Sequence, residues 1–315
     1  MAESDKVMGQ GPFDMKYFLS GALAGGICCS LTHGGLVPVD VVKTKIQLQP
    51  DVFNKGFIGG FGQVIEKEGM GGLLTGLGPT AQGYFIQGWF KFGGVEFFKI
   101  NFTRKLGEQK AWDNRKSIYL VASACAEFIA DIFLCPYEAC RIRLVSEPTY
   151  ADSMAGCASK MMAESGFVGA FYSGFVPILF KQIPYTMAKF AVQGQTAESI
   201  YASLGASPEN PPAIGNLGVS LASGVVAGVA AAIISHPADT LLSKINKGGA
   251  GGSGGMFSRM GNIVAETGFY TLCTQGLGAR CVMIGTLTAG QFGIFDIIMG
   301  MTGAKKFQFR DPSAH

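Results

Sequence analysis

The stretch Pro38-Val39-Asp40-Val41-Val42-Lys43-Thr44-Lys45 places an acid two residues after a proline and closes on two bases. It recurs as Pro136-Tyr137-Glu138-Ala139-Cys140-Arg141-Ile142-Arg143 and as Pro237-Ala238-Asp239-Thr240-Leu241-Leu242-Ser243-Lys244. Pro38 and Pro136 lie 98 residues apart, and Pro136 and Pro237 lie 101 apart. One such string carries no information. Three copies at nearly equal intervals mark an internal repeat. Each proline also ends an apolar stretch of about 20 residues, the length a bilayer demands.

The same series follows each copy. A polar, Gly-containing connection comes first, with an acid close before a glycine: Glu68-Gly69, Glu164-Ser165-Gly166 and Glu266-Thr267-Gly268. Gly76, Gly174 and Gly276 then open a second apolar segment. Each repeat therefore reads as helix, short connection, helix. The predicted spans are 16–47 and 76–104, 115–145 and 174–203, and 216–245 and 276–303. The predicted architecture is an all-α membrane protein with six transmembrane helices in three pseudo-threefold repeats around a central cavity. Its units are a tail over 1–15, repeats over 16–108, 109–210 and 211–305, and a tail over 306–315. Six spans put both termini on one side. The run from Gly248 to Gly255 is nearly all glycine and reads as a flexible linker.

Composition agrees with lipid as the solvent. Of 315 residues, 48% are hydrophobic and only 15% charged, where a soluble domain carries about 25%. Mean hydropathy is +0.29. The 46 glycines fall largely in apolar runs, where small residues let helices approach closely; Gly21-x-x-x-Gly25 and Gly224-x-x-x-Gly228 are examples. A net charge of +3, without basic clusters interleaved with aromatics, gives no footprint for nucleic acid. Most of the eight cysteines (Cys28, Cys29, Cys125, Cys135 and Cys281 among them) sit in apolar segments and read as reduced, small hydrophobes. Adjacent Cys28-Cys29 is a poor ligand spacing, so no metal site and no cofactor are expected. The first 14 residues have neither a secretory apolar core nor an Arg-rich amphipathic pattern, so targeting information is expected to be internal. No H-E-x-x-H, G-x-S-x-G or P-loop string occurs, and no enzyme constellation competes with a membrane reading.

The triplicated string resembles the signature of the mitochondrial carrier family, P-x-[DE]-x-x-[KR]-x-[KR], over nearly the whole chain. The third copy departs from it, with Leu242 in place of the first base. The resemblance implies a matrix-side gate of ion pairs between neighbouring repeats, carried by Asp40, Lys43, Glu138, Arg141 and Asp239. Proline inside a helix removes a backbone bond and bends it, so three bends at equal depth can draw the helices together. On the even spans the family has an aromatic-acid-x-x-base pattern at the cytoplasmic side, and here it is incomplete. Val95 precedes Glu96 and Lys99, Gly194 replaces the acid of the fourth span, and Met299 replaces the base after Asp296. The cytoplasmic gate is therefore expected to rest on Glu96, Lys99 and Asp296, with Lys99 placed to pair with Asp296, and to be the weaker gate.

Positions that break the threefold pattern point at the substrate. Five residues before the three prolines stand His33, Asp131 and Ala232; nine before stand Cys29, Glu127 and Gly228. Seven residues after the opening glycines stand Gly83, Lys181 and Met283; eight after, Tyr84, Gln182 and Ile284; fifteen after, Lys91, Lys189 and Gln291. Intramembrane ionisable groups are costly and functional by default. Lysines beside amides supply donors for an oxyanion, although a lysine near a helix end also snorkels to the interface. No aromatic box for a nucleotide base is evident. His33, Glu127 and Asp131 are the candidates for moving a proton; His33 also reads as a core histidine bonded to its own helix.

Four longer strings, 37–44, 87–94, 180–186 and 235–240, resemble the phosphate-carrying branch of the family. That resemblance implies electroneutral phosphate–proton symport, equivalently phosphate–hydroxide exchange, across the mitochondrial inner membrane. It implies substrate contacts at Thr44, Gln87, Lys91, Lys181 and Gln182, with proton handling at His33 and Glu127. The partners implied are inorganic phosphate, protons and inner-membrane lipid, cardiolipin included. Three repeats complete a closed bundle, so a monomer is sufficient. A carrier of another solute, such as copper or a small dicarboxylate, and a non-transporting scaffold remain open alternatives.

Overall fold

A computed structural model describes residues 6–49, 51–208, 210–246 and 256–312; the predicted linker from Gly248 to Gly255 lies outside them. Among the described residues the chain is a succession of helices. The first repeat holds α1 (Met15–Gly35), α2 (Val37–Leu48), α3 (Gly56–Gly72) and α4 (Leu77–Leu106). After the short α5 (Glu108–Asp113), the second holds α6 (Arg115–Ser146), α7 (Met154–Tyr172) and α8 (Phe175–Ser203). The third holds α9 (Gly215–Asn246), α10 (Met256–Thr267), α11 (Phe269–Thr274) and α12 (Leu277–Met301). The six predicted spans correspond to α1 with α2, α4, α6, α8, α9 and α12.

The long helices close a ring in which α1 packs on α4, α4 on α6, α6 on α8, α8 on α9, α9 on α12 and α12 back on α1. The connecting helices α3, α7 and α10 cap one end, here the signature end. Both termini lie at the other end, where the Gln10 side chain donates to the Gln308 carbonyl at 2.6 Å. Each connecting segment breaks at its acid-associated glycine: Gly69, Gly166 and Gly268 all have φ between 68° and 80°, which a residue with a Cβ adopts only at a cost.

The three signature prolines do not act alike. At Pro38 the first span is broken at Leu36, and α1 and α2 meet at a bend of 57°. Pro136 and Pro237 instead lie inside the continuous helices α6 and α9. The expectation of three equal bends is thus met by one broken span and two helices that run through their proline.

By length and apolarity alone, four described helical runs can cross a membrane, and five if α1 and α2 count as one span. The remaining span is α4. Its 30 residues reach about 45 Å at 1.5 Å each, ample for a bilayer. Its low apolarity comes from Gln87, Lys91, Glu96 and Lys99, all buried inside the bundle. Apolar side chains such as Leu19, Leu31, Phe128, Phe133, Ile233 and Ile234 face outward instead, as lipid-facing residues do. The α1–α4 contact is backbone on backbone: a Cβ at Gly88 would meet the Gly25 carbonyl at 2.1 Å. No side chain larger than hydrogen fits either position.

Candidate functional site

The ring encloses a cavity of about 100 Å³ between its two ends. Its charged wall has five cations, Lys43, Lys91, Lys181, Lys189 and Arg280, against two carboxylates, Asp40 and Asp239; His33 and the amides of Gln87, Gln182 and Gln291 complete the polar lining. A chamber with this balance attracts anions. Of the residues expected to bind substrate, Gln87, Lys91, Lys181 and Gln182 line it. Thr44 does not: it follows Lys43 on α2 and so stands about 100° around that helix from the side chain that lines the cavity.

Behind the wall formed by α4 lies a closed polar cluster. Lys91 is ion-paired to Glu127 at 3.1 Å. Gln87 donates to Glu127 at 2.9 Å and to Asp131 at 3.3 Å. Thr186 of α8 donates to the second Glu127 oxygen at 2.9 Å. Gln87, Glu127, Asp131 and Thr186 have no accessible surface. The Glu127 carboxylate is held at that depth by having both oxygens paired, to α4 and to α8, while the second Asp131 oxygen is buried without a hydrogen-bond partner. His33 is not part of this cluster. Its ring stacks on Tyr84 at 3.6 Å, nearly parallel, and no described hydrogen bond joins it to Glu127 or to Thr32. Thr32 instead donates back to Cys28.

At the signature end the carboxylates gather cations from other repeats. Asp239 meets Lys181 at 3.1 Å, Lys43 at 3.7 Å and Arg280. Arg141 reaches Asp40 at 3.9 Å and holds Glu138 of its own helix at 2.6 Å. Repeats one and two are joined through Asp40 and Arg141, and repeats one and three through Lys43 and Asp239. Glu138 has no base to meet in the third repeat because Leu242 stands in that place, and it folds back on Arg141. The last base of the signature does separate work. Lys45 is buried and bonded to Glu68 at 2.6 Å and to the Val145 carbonyl at 3.1 Å, and Arg143 meets Glu164 at 3.7 Å. In the first two repeats these bonds tie the signature to the acid of the connection.

At the terminal end Lys99 and Asp296 do not meet, which corrects the pairing expected from sequence. Lys99 is bound to Glu96 one turn earlier at 2.5 Å, and Asp296 pairs with Lys306 at 3.6 Å. The rings of Phe92, Phe190, Phe292 and Phe295 lie 5.0 to 5.6 Å apart between these groups and the cavity. Lys189 is buried against them, its ammonium 4.8 Å from the Phe92 centroid and bonded to Gln291.

Three residues of the site escaped the sequence alignment. Arg280 was visible there: it stands four residues after Gly276, where the other repeats have Thr80 and Ile178. Thr186 carries no charge and gave no signal. Lys306 lies beyond the repeats and had no counterpart to be compared with.

Three segments of the chain, 14–106, 115–203 and 215–306, match the family model described as mitochondrial carrier protein. The chain belongs to the mitochondrial carrier family. This carrier is therefore a multi-pass protein of the inner mitochondrial membrane. It is 50% identical to mitochondrial substrate carrier family protein N of Dictyostelium discoideum, over 92% of the carrier and 97% of that protein. It is 42% identical to a probable mitochondrial phosphate carrier protein of Schizosaccharomyces pombe, over 91% and 92%. It is 40% identical to human solute carrier family 25 member 3, over 90% and 76%.

Proposed function

We propose that this carrier moves inorganic phosphate together with a proton across the inner membrane, by opening the central cavity to alternate sides. The supporting observation is the cavity itself, which is ringed by five cations against two carboxylates. Relatives that match most of the chain include a probable mitochondrial phosphate carrier protein of Schizosaccharomyces pombe and a mitochondrial phosphate carrier protein of Caenorhabditis elegans.

Proton coupling follows from charge. Moving one charge across 100 mV costs about 2.3 kcal/mol, so a lone anion entering a negative matrix is opposed. Glu127 and Asp131 stand fully buried beside the ammonium of Lys91. The cluster has one acid more than it has bases, and one proton leaves it without net charge. Lys91 reaches both this cluster and the cavity. An anion that draws Lys91 toward itself weakens its hold on Glu127 and favours a proton there. Phosphate and proton thus occupy one connected site.

Lys181 links the substrate to the inner gate in the same way. It lines the cavity and bonds Asp239 at 3.1 Å. Phosphate competing for Lys181 removes one of the three cations that hold Asp239, so loading the cavity loosens the matrix-side closure. Of the two pairs that remain, the one to Lys43 is partly wet and parts at low cost, and the one to Arg280 is buried. The closed ring lies within one chain, which makes a monomer the working unit.

The test is uptake of labelled phosphate into proteoliposomes with an imposed pH difference. Uptake is expected to follow the pH difference and to ignore membrane potential. Glu127→Gln is expected to lose the dependence on pH. Uptake driven by potential alone, or full pH-driven uptake by the Glu127→Gln protein, removes the proton role; absence of phosphate uptake by the unaltered carrier removes the substrate.

A further inference from the structure

The terminal-end gate lacks three of its charges in sequence, an acid at Gly194 and bases at Ala197 and Met299. We propose that residues 304–310 supply the missing half. They form a tail that seals the mouth of the bundle by docking on Glu96, Lys99 and Asp296, and it withdraws when that end opens. This rests on the alternating-access reading above.

The chain leaves α12 through a turn built for reversal. Gly303 has φ 77°, its N–H bonds the Gly300 carbonyl, and the Ala304 N–H bonds the Met299 carbonyl at 3.0 Å. This pairing of the last carbonyls ends a helix and redirects the chain sharply. The tail then crosses the mouth and bonds the gate with its backbone. The Phe307 N–H donates to Glu96 at 2.8 Å and to the Tyr17 hydroxyl at 2.9 Å, and Lys99 donates to the Phe307 carbonyl at 3.2 Å. Lys306 stands 3.6 Å from Asp296, which gives that acid the base that Met299 does not provide. At Gly194 an added Cβ would meet the Tyr119 ring at 2.4 Å. Tyr119 fills the place of the absent acid and packs edge-on against Phe309 at 5.2 Å. The gap at Met299 is thus filled by the tail and the gap at Gly194 by a ring that the tail covers, while Ala197 lines the small void beneath it.

The seal is tight and it is held by separate contacts. Phe307 is 1% exposed. Beneath it remains a void of about 20 Å³, room for one water and not for a phosphate. The tail has neither helix nor strand of its own, so it can lift without unfolding a span. Its far side is clasped by the amino-terminal segment: the Gln308 N–H donates to Gln10 at 3.2 Å, the Gln10 amide returns to Gln308, and Phe13 packs on Phe307 at 5.6 Å. Solute leaving or entering by this end has to displace the tail.

The experiment joins tail and clasp. In proteoliposomes the Gln10→Cys/Gln308→Cys carrier is treated with a short thiol-reactive linker, with each single variant treated alike to account for native cysteines. Linking is expected to lower phosphate uptake at least about ten-fold in the double variant alone. A second readout needs no transport. Gln193→Cys, below the tail, is expected to react with an impermeant maleimide at least about ten-fold faster when combined with Lys306→Gln, Phe307→Ala and Phe309→Ala, as measured on its own peptide. Full uptake with the tail linked, or unchanged labelling when its contacts are removed, overturns the proposal. Should the unaltered carrier move no phosphate, the substrate reading fails and the labelling still decides the tail.

Discussion

The two ends of the bundle are closed by different physics. At the signature end one carboxylate, Asp239, is held by three cations from three helices, and Lys43 and Lys181 among them are about two-fifths exposed. At the terminal end the seal is four phenylalanine rings, a same-helix pair and a stretch of backbone, nearly all of it dry. Ion pairs in reach of water respond to another charge, so a phosphate in the cavity can compete for Lys181. The packed rings carry no ion pair for a phosphate to compete with, although Lys189 lies against them, and they part only when something moves them. The difference teaches that substrate can release the inner end directly, whereas the outer end needs a separate mover.

The comparison is broken most severely by Lys91→Gln. It strands Glu127, which is fully buried, and removing one partner of a buried pair costs about 3–5 kcal/mol. Uptake is expected to fall to background, with a clear drop in the thermal midpoint; a variant as stable and active as the unaltered carrier would mean that Glu127 is not ionised there. Next in size is Asp239→Asn, which releases three cations at once. Uptake in proteoliposomes is expected to fall about a hundred-fold, roughly 2.7 kcal/mol of barrier, whereas Asp296→Asn at the other end has a smaller effect because Ser220 and Lys306 still neighbour it. Raising salt sharpens the contrast without mutation. The screening length contracts to about 3 Å at 1 M, so proteolytic access is expected to rise at the signature end and stay constant at the terminal end. Smallest is Lys43→Ala. Its pair with Asp239 spans 3.7 Å and is partly wet, so calorimetry is expected to show less than about 1 kcal/mol, and Arg280→Ala, buried against Asp239 and Ser235, to cost more.

The spans were readable to within a few residues because each combines apolar length with a turn signal at a repeated interval. The inner gate was readable in part. Asp40 with Arg141 and Lys43 with Asp239 follow from the signature, but the gathering of Lys181 and Arg280 onto the same carboxylate does not, since both come from even helices outside it. Glu127 and Lys91 stood out as charged residues in apolar runs, Gln87 came only from the family resemblance, and Thr186 did not stand out because a threonine in a membrane helix is ordinary. Lys99 was matched with Asp296 by pattern, while an acid one turn away on its own helix was nearer than any across the bundle.

The sequence by itself determined the three repeats, the six spans and the excess of cations facing inward. Periodicity, apolar length and charge are local properties that survive without coordinates. Only the tertiary structure decided which charges share a partner, that His33 stacks on Tyr84 instead of touching Glu127, and that residues 304–310 close the mouth. Those outcomes depend on which helices pack side by side and how the chain turns at Gly303, and contacts between residues outside the repeated signature leave no trace in its spacing.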